Sequence, residues 1–316
     1  MGGDDAECMK NPPAVDSASG ADGARVVVGV DGSENALVAV EWAAAEAARR
    51  RLPLRIVSCY SVPFYGEPGM IGTYAIENQV EAIKNEHEGF VHTAIERAAR
   101  VAVHLKVDSI VTLGSPTTVL PQAVECGGEV VVGAAGRSGR LADVIGSTAT
   151  AVCHHTAEPV VVVRTTSSRK GSSLKKIVVG TDGSECAAEA LRWAYEEARL
   201  AGASLVVLHC WQYPYGDPVS GEEDVRRRMQ ADASAQLADA VARVSERAEE
   251  DGVTLSTRLV EDLPGKAIIA TAADADLVVV GSRGRGGFTS LLLGSVSRSV
   301  VQHAPCPVAV IRQPAT

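Results

Sequence analysis

Short runs of β-branched residues punctuate this chain, and each is followed by a stretch whose apolar positions return every three or four residues. In the second half the pattern predicts a strand over Lys176–Thr181 and a helix over Glu185–Ala201, with Leu191, Ala194, Tyr195 and Ala198 on one face. A strand over Leu205–Trp211 and a long helix over Asp224–Glu250 come next. They are followed by a strand near Thr254–Val260, a helix near Lys266–Ala273 and a strand over Leu277–Val280. A helix after Gly294 and a last strand, Val308–Ile311, complete the unit. Strands separated by helices imply right-handed crossovers and a parallel sheet.

The first half carries the same pattern. VVGVDGSENALVAVEW at Val27–Trp42 matches VVGTDGSECAAEALRW at Val178–Trp193, and PVVVVR at Pro159–Arg164 matches PVAVIR at Pro307–Arg312. The expectation is therefore two tandem, open, twisted parallel sheets of five strands, each flanked by helices. The boundaries expected are 25–164 and 174–313, joined by a linker at 165–173 and preceded by a disordered tail at 1–24. A length of 316 residues accommodates two such units.

Glycines carry the candidate chemistry. Gly133 and Gly136, then Gly146-Ser147, recur as Gly281 and Gly284, then Gly294-Ser295, each set following an apolar strand. Closely spaced glycines between a strand and a helix let backbone N–H groups approach an anion, and the helix N-terminus adds free donors and partial positive charge. In the second loop Arg283, Arg285, Gly286 and Gly287 strengthen the reading, since guanidinium groups suit a polyphosphate. The first loop has Arg137 but Ala135, Ser138 and Gly139 at the other matching positions, and Asp143 where the second has Leu291. Arg140, where the second has Phe288, could offset that carboxylate. Weaker anion binding is expected there.

Gly29-Val-Asp31 and Gly180-Thr-Asp182 end the first strand of each unit, where ligands of doubly wound sheets bind. Asp31 and Asp182 are read as ligand residues, Ser33 and Ser184 as helix N-caps. Neither a Lys-Ser/Thr phosphate loop nor a G-x-G-x-x-G fingerprint is present. His87 and His92 are five apart, which places them on different helix faces and argues against a zinc site. Cys153-His154-His155 reads as a helix end. No catalytic constellation stands out.

Composition narrows the function classes. A net charge of −9 argues against nonspecific nucleic-acid binding. The arginine runs Arg49–Arg51 and Arg226–Arg228 are expected to be solvated helix faces. No apolar run is long enough for a membrane span. Seven scattered cysteines without a CxxC pair, and no secretory leader pattern, fit a cytoplasmic protein.

Together, the aspartate after the first strand, G-x2-G-x9-G-S after the fourth, and HAPCPV at His303–Val308 resemble the universal stress protein family across nearly the whole chain. The resemblance implies a Rossmann-like fold of the adenine nucleotide alpha hydrolase type and ATP, with or without Mg2+, as ligand. It places phosphates on Gly133, Gly136, Gly146, Ser147 and Thr148, and on Gly281, Gly284, Gly294, Ser295 and Val296. It places ribose near Asp31 and Asp182, and adenine near the backbone of Cys59 and Cys210. It also implies a regulatory or sensor role in stress or dormancy, with slow ATP hydrolysis or phosphotransfer, or a non-binding scaffold, as alternatives. The apolar last strands are expected to be sheet edges. They would associate the two units, and a homodimer is expected through the same edge.

Overall fold

A computed structural model describes residues 23–62, 73–137, 145–165, 173–213, 222–285 and 293–313. The first unit runs β1 Val26–Gly29, α1 Glu34–Arg50, β2 Leu54–Tyr60, α2 Thr73–Val101, β3 Val107–Leu113, α3 Pro116–Ala123, β4 Glu129–Gly133, α4 Ser147–His155 and β5 Val160–Val163. The second runs β6 Lys176–Thr181, α5 Glu185–Ala201, β7 Ser204–Trp211, α6 Glu222–Glu250, β8 Leu255–Glu261 and α7 Pro264–Thr271. A single 3-10 turn at Ala272–Asp274 follows, then β9 Leu277–Gly281, α8 Ser295–His303 and β10 Val308–Ile311.

Each unit is a five-stranded parallel sheet, and the two are joined edge to edge. The combined order is β3-β2-β1-β4-β5-β10-β9-β6-β7-β8, and β5 with β10 is the one antiparallel pair among the described strands. Val162 lies opposite Val308 and Val160 opposite Val310. The unpaired edges that favoured a homodimer are thus satisfied inside one chain.

Both sheet faces are covered, which explains the unbroken apolar strands. Alternate valines of one strand feed two separate cores: Val26 and Val28 join α1, α2 and α5 residues on one face, and Val27 joins α4 and α7 residues on the other. Ser33 and Ser184 are N-caps, accepting hydrogen bonds from the backbone N–H of Ala36 and Ala187.

Two arginines depart from expectation. Arg49 and Arg50 are not a solvated face, because α1 and α5 pack together at the junction of the units. Both pair there with Glu46 and Glu197, two fully buried carboxylates at matching positions of the two helices. Arg50 also lies over the Trp193 ring, 5.3 Å from its centroid. Sequence reading fails here because the apolar face of α1 is completed by the partner unit. Arg51 fulfils the expectation, exposed as the left-handed C-cap of α1 (φ 58).

The last strands end in a reciprocal contact. Arg164 donates to the carbonyls of Val301 and Gln302 at the end of α8, and Arg312 donates to Thr156 O, 3.4 Å away, just past α4. Each unit's final arginine therefore satisfies carbonyls left open at the other unit's final helix.

Candidate functional site

The second unit reverses its strand order between β6 and β9, and the expected crevice opens at their carboxyl ends. A cavity of about 710 Å³ lies there, lined by Gly180, Asp182, Cys210, Gly281, Arg283, Gly284, Arg285, Gly294, Ser295 and Val296 among others. Its volume lies within the roughly 300–1,000 Å³ usual for small-ligand sites. The structure thus brings together every sequence-nominated residue of this unit that is described. Gly286 and Gly287 lie outside the described residues, as do Ser138, Gly139, Arg140, Asp143, Phe288 and Leu291.

Helix α8 points its N-terminus into this space. Its N-cap is Gly294, and no side chain caps it, so the first-turn N–H donors are left to the cavity. Ser297 instead turns back, donating to Gly281 O at 2.6 Å. Gly146 opens α4 in the same uncapped way above Ser147 and Thr148.

The aspartates do more than terminate a strand. Asp182 accepts from Ser184 N at 2.9 Å through one oxygen and from Arg285 N at 3.0 Å through the other. Asp31 repeats the pattern, accepting from Ser33 N at 3.1 Å and Arg137 N at 3.0 Å. Each carboxylate ties the first-strand turn to the glycine loop. This contact explains Gly136 and Gly284, where a Cβ would stand 2.5 and 2.3 Å from an aspartate oxygen. Gly133 and Gly281 are explained by packing, since a Cβ would meet the α1 and α5 backbones at 2.8 and 3.0 Å. Positive φ is absent from these loop glycines and appears instead at Gly32 (φ 80) and Gly183 (φ 75) in the turns after β1 and β6.

The apolar end of the cavity comes from Leu208, Pro264, Ile268 and Val280. Gly180 allows Ile268 to close in, since a Cβ there would be 2.8 Å from its Cδ1, and Gly29 does the same for Leu120. Cys59 and Cys210 each stand one residue before the end of β2 and β7, at matching positions of the two units, and burial pushes both thiols up to about 11, so neither supplies a thiolate at neutral pH.

Sequence reading missed Thr181, Cys186, Pro264, Ile268 and Gln313 as lining residues. Pro116/Leu120 and Pro264/Ile268 recur at the same offset as the loop glycines, so that pair was detectable. It also missed the contribution of the long helices to the sites. Glu86, His87 and Phe90 of α2 face the first loop, with Glu86 2.9 Å from the Arg137 guanidinium and His87 Nδ1 2.8 Å from Ser58 Oγ. Burial lowers the pKa of His87, with Arg137 adding to the effect against Glu86 and Asp31. His92, by contrast, is exposed and pairs with Glu96. The two histidines face apart, as their spacing predicts.

The universal stress protein family model matches residues 24–164 and again 173–312. A universal stress protein of Mycolicibacterium smegmatis is 33% identical over 299 residues, covering 91% of this chain and 96% of that protein. Universal stress protein Rv2005c of Mycobacterium tuberculosis is 33% identical over 298 residues, covering 91% and 97%. The crystal structure of a universal stress protein from Archaeoglobus fulgidus superposes with a TM-score of 0.67 at 20% identity, covering 91% of this chain and 98% of that one. At that identity the likeness concerns the fold. None of the described helices is long and apolar enough to cross a membrane. A glycine loop written twice, two matching sheets and two family matches make this chain a tandem-domain member of the universal stress protein family.

Proposed function

We propose that the chain is an ATP-binding regulatory protein of stress or dormancy responses, acting in the cytoplasm. One observation carries the reading: the cavity at the β6/β9 switch point combines an uncapped helix N-terminus, Arg283 and Arg285 at one end with an apolar wall at the other. A triphosphate suits the first end, through backbone N–H groups and guanidinium donors. A purine suits the second, between Ile268, Val280 and Leu208, with the Cys210 backbone at its edge. Asp182 stands between the two ends, where a ribose hydroxyl could replace one of its backbone donors. Mg2+ would accompany the phosphates as counter-ion.

Occupancy has a route to the rest of the molecule. Gln313 lines the cavity, and its neighbour Arg312 donates to Thr156 O of the first unit. Ser282 N donates to Ile311 O at 2.7 Å, linking the glycine loop to the strand that joins the units. A homodimer, if formed, uses a surface other than β5 and β10. Light scattering reads it directly against the 32.8 kDa of one chain.

Mass spectrometry of the purified protein after denaturation tests the ligand. Copurified adenine nucleotide, lost when Arg283 and Arg285 are both changed to Ala, is the expected result. A folded protein that carries no nucleotide and takes up none at millimolar ATP contradicts the proposal.

A further inference from the structure

The two glycine loops are alike, but the arginine that follows each is held differently. In the second unit the Arg285 guanidinium sits on the turn glycine Gly183, whose Cβ would lie 2.4 Å from it, and its partner is the neutral Gln236 at 3.0 Å. In the first unit the Phe90 ring takes that seat: a Cβ on Gly32 would lie 2.5 Å from the ring. Arg137 is displaced onto the outer face of Phe90, 5.1 Å from the ring centroid, and is ion-paired with Glu86. Glu86 and Gln236 hold the same place on the two long helices. Four residues on, the first helix has Phe90 and the second has Ala240. Ala135 also stands where the second loop has Arg283.

The charges presented to a ligand therefore differ. The second loop offers two arginines, with no carboxylate on Arg285 in its described contacts. Among the described residues the first offers one, Arg137, already neutralised by Glu86. An exposed ion pair is weak and Arg137 can leave it, but Glu86 then remains as an uncompensated carboxylate beside the ligand.

We propose that the two units select nucleotides of different charge, the second taking a nucleoside triphosphate and the first a nucleoside monophosphate, with Glu86 and Phe90 as the specificity-determining residues. The inference rests on the nucleotide reading of both sites. Charge sets the expected size of the effect. A monophosphate carries roughly two negative charges near neutral pH and a triphosphate roughly four. A single carboxylate that weakens the first by about threefold weakens the second by about tenfold, because the energy scales with ligand charge.

The test uses the full chain with one site silenced at a time, by Gly284→Glu or by Gly136→Glu, and titrates ATP and AMP calorimetrically. With only the first site active, AMP is expected to bind at least as tightly as ATP. With only the second active, ATP is expected to bind at least about tenfold tighter than AMP. In the first-site background Glu86→Gln with Phe90→Ala reproduces the second unit's residues, and should raise ATP affinity about tenfold and AMP affinity about threefold. Should loss of Phe90 impair folding, the exposed Glu86→Gln change alone carries the test. The reciprocal Gln236→Glu should lower ATP affinity at the second site by about tenfold. A first site that prefers ATP as strongly as the second, or an ATP-to-AMP ratio unmoved by these changes, overturns the inference. So does a first site that binds neither nucleotide while the second binds ATP, which leaves the proposed function standing. A second site that binds no ATP removes that function as well.

Discussion

Glu129 opens β4 at the position where β9 has Leu277, and it is 2% exposed with no hydrogen-bond partner on either carboxylate oxygen. Its nearest cation is Arg50, at 3.9 Å, and Arg49, Glu46 and Glu197 complete the junction. Burial pushes its pKa from 4.5 up to about 7, the arginines opposing this and Glu197 adding to it. A raised carboxyl pKa means that the native state binds more protons than the unfolded chain between pH 4.5 and 7. Stability from this group is full below that window and is lost as pH rises through it. At about 1.4 kcal/mol per pKa unit the swing is roughly 3 kcal/mol. Glu129→Leu is therefore expected to match or modestly exceed the parent near pH 5 and to be more stable by roughly 2–3 kcal/mol at pH 8. Urea midpoints at the two pH values check this, and a gap that does not widen with pH contradicts it. None of this was legible in the sequence, because the surroundings of Glu129 come from α1 and, across the junction, α5.

At the scale of the elements, much was legible because local and tertiary preferences agree. Glu185–Ala201 was readable to the residue, with Ser184 before it and the left-handed Gly202 after it. Removing that cap by Ser184→Ala should cost about 1 kcal/mol by thermal or urea denaturation, and an unchanged midpoint would show that the cap is idle. The glycine loops were legible as a repeated spacing, yet their internal reason was not. Gly136 and Gly284 make room for an aspartate brought by another strand, and Gly133 and Gly281 for the start of a helix. Gly281→Ala should destabilise by about 1–3 kcal/mol, since the α5 backbone must shift to accept a methyl group. Equal stability of the variant in denaturant titration would refute the packing explanation. The contributions of α2 and α6 to the sites stayed hidden because long solvent-facing helices bury little and show weak periodicity. Only folding reveals that Glu86 and Gln236 reach the loops.

Across the whole molecule, pairing of β5 with β10 makes one sheet from two repeats, and the buried charges decide which copies can pair. Glu46 and Glu197 are related by the repeat, but the arginines that neutralise both come from the first unit alone, with Leu200 and Ala201 at the matching positions of the second. Two second units paired through β10 would bury two facing carboxylates without a cation, which is strongly unfavourable. Separately produced halves are therefore expected to form a one-to-one complex when mixed, with the second half alone remaining monomeric. Sedimentation showing a stable second-half dimer would contradict this. The central claim, that the β6/β9 crevice holds ATP, is tested most directly by titrating ATP calorimetrically into the full chain and into Gly284→Glu. The account predicts a saturable binding isotherm for the parent that loses its tighter component in a variant with unchanged circular dichroism; equal ATP affinity in a folded Gly284→Glu chain would contradict it.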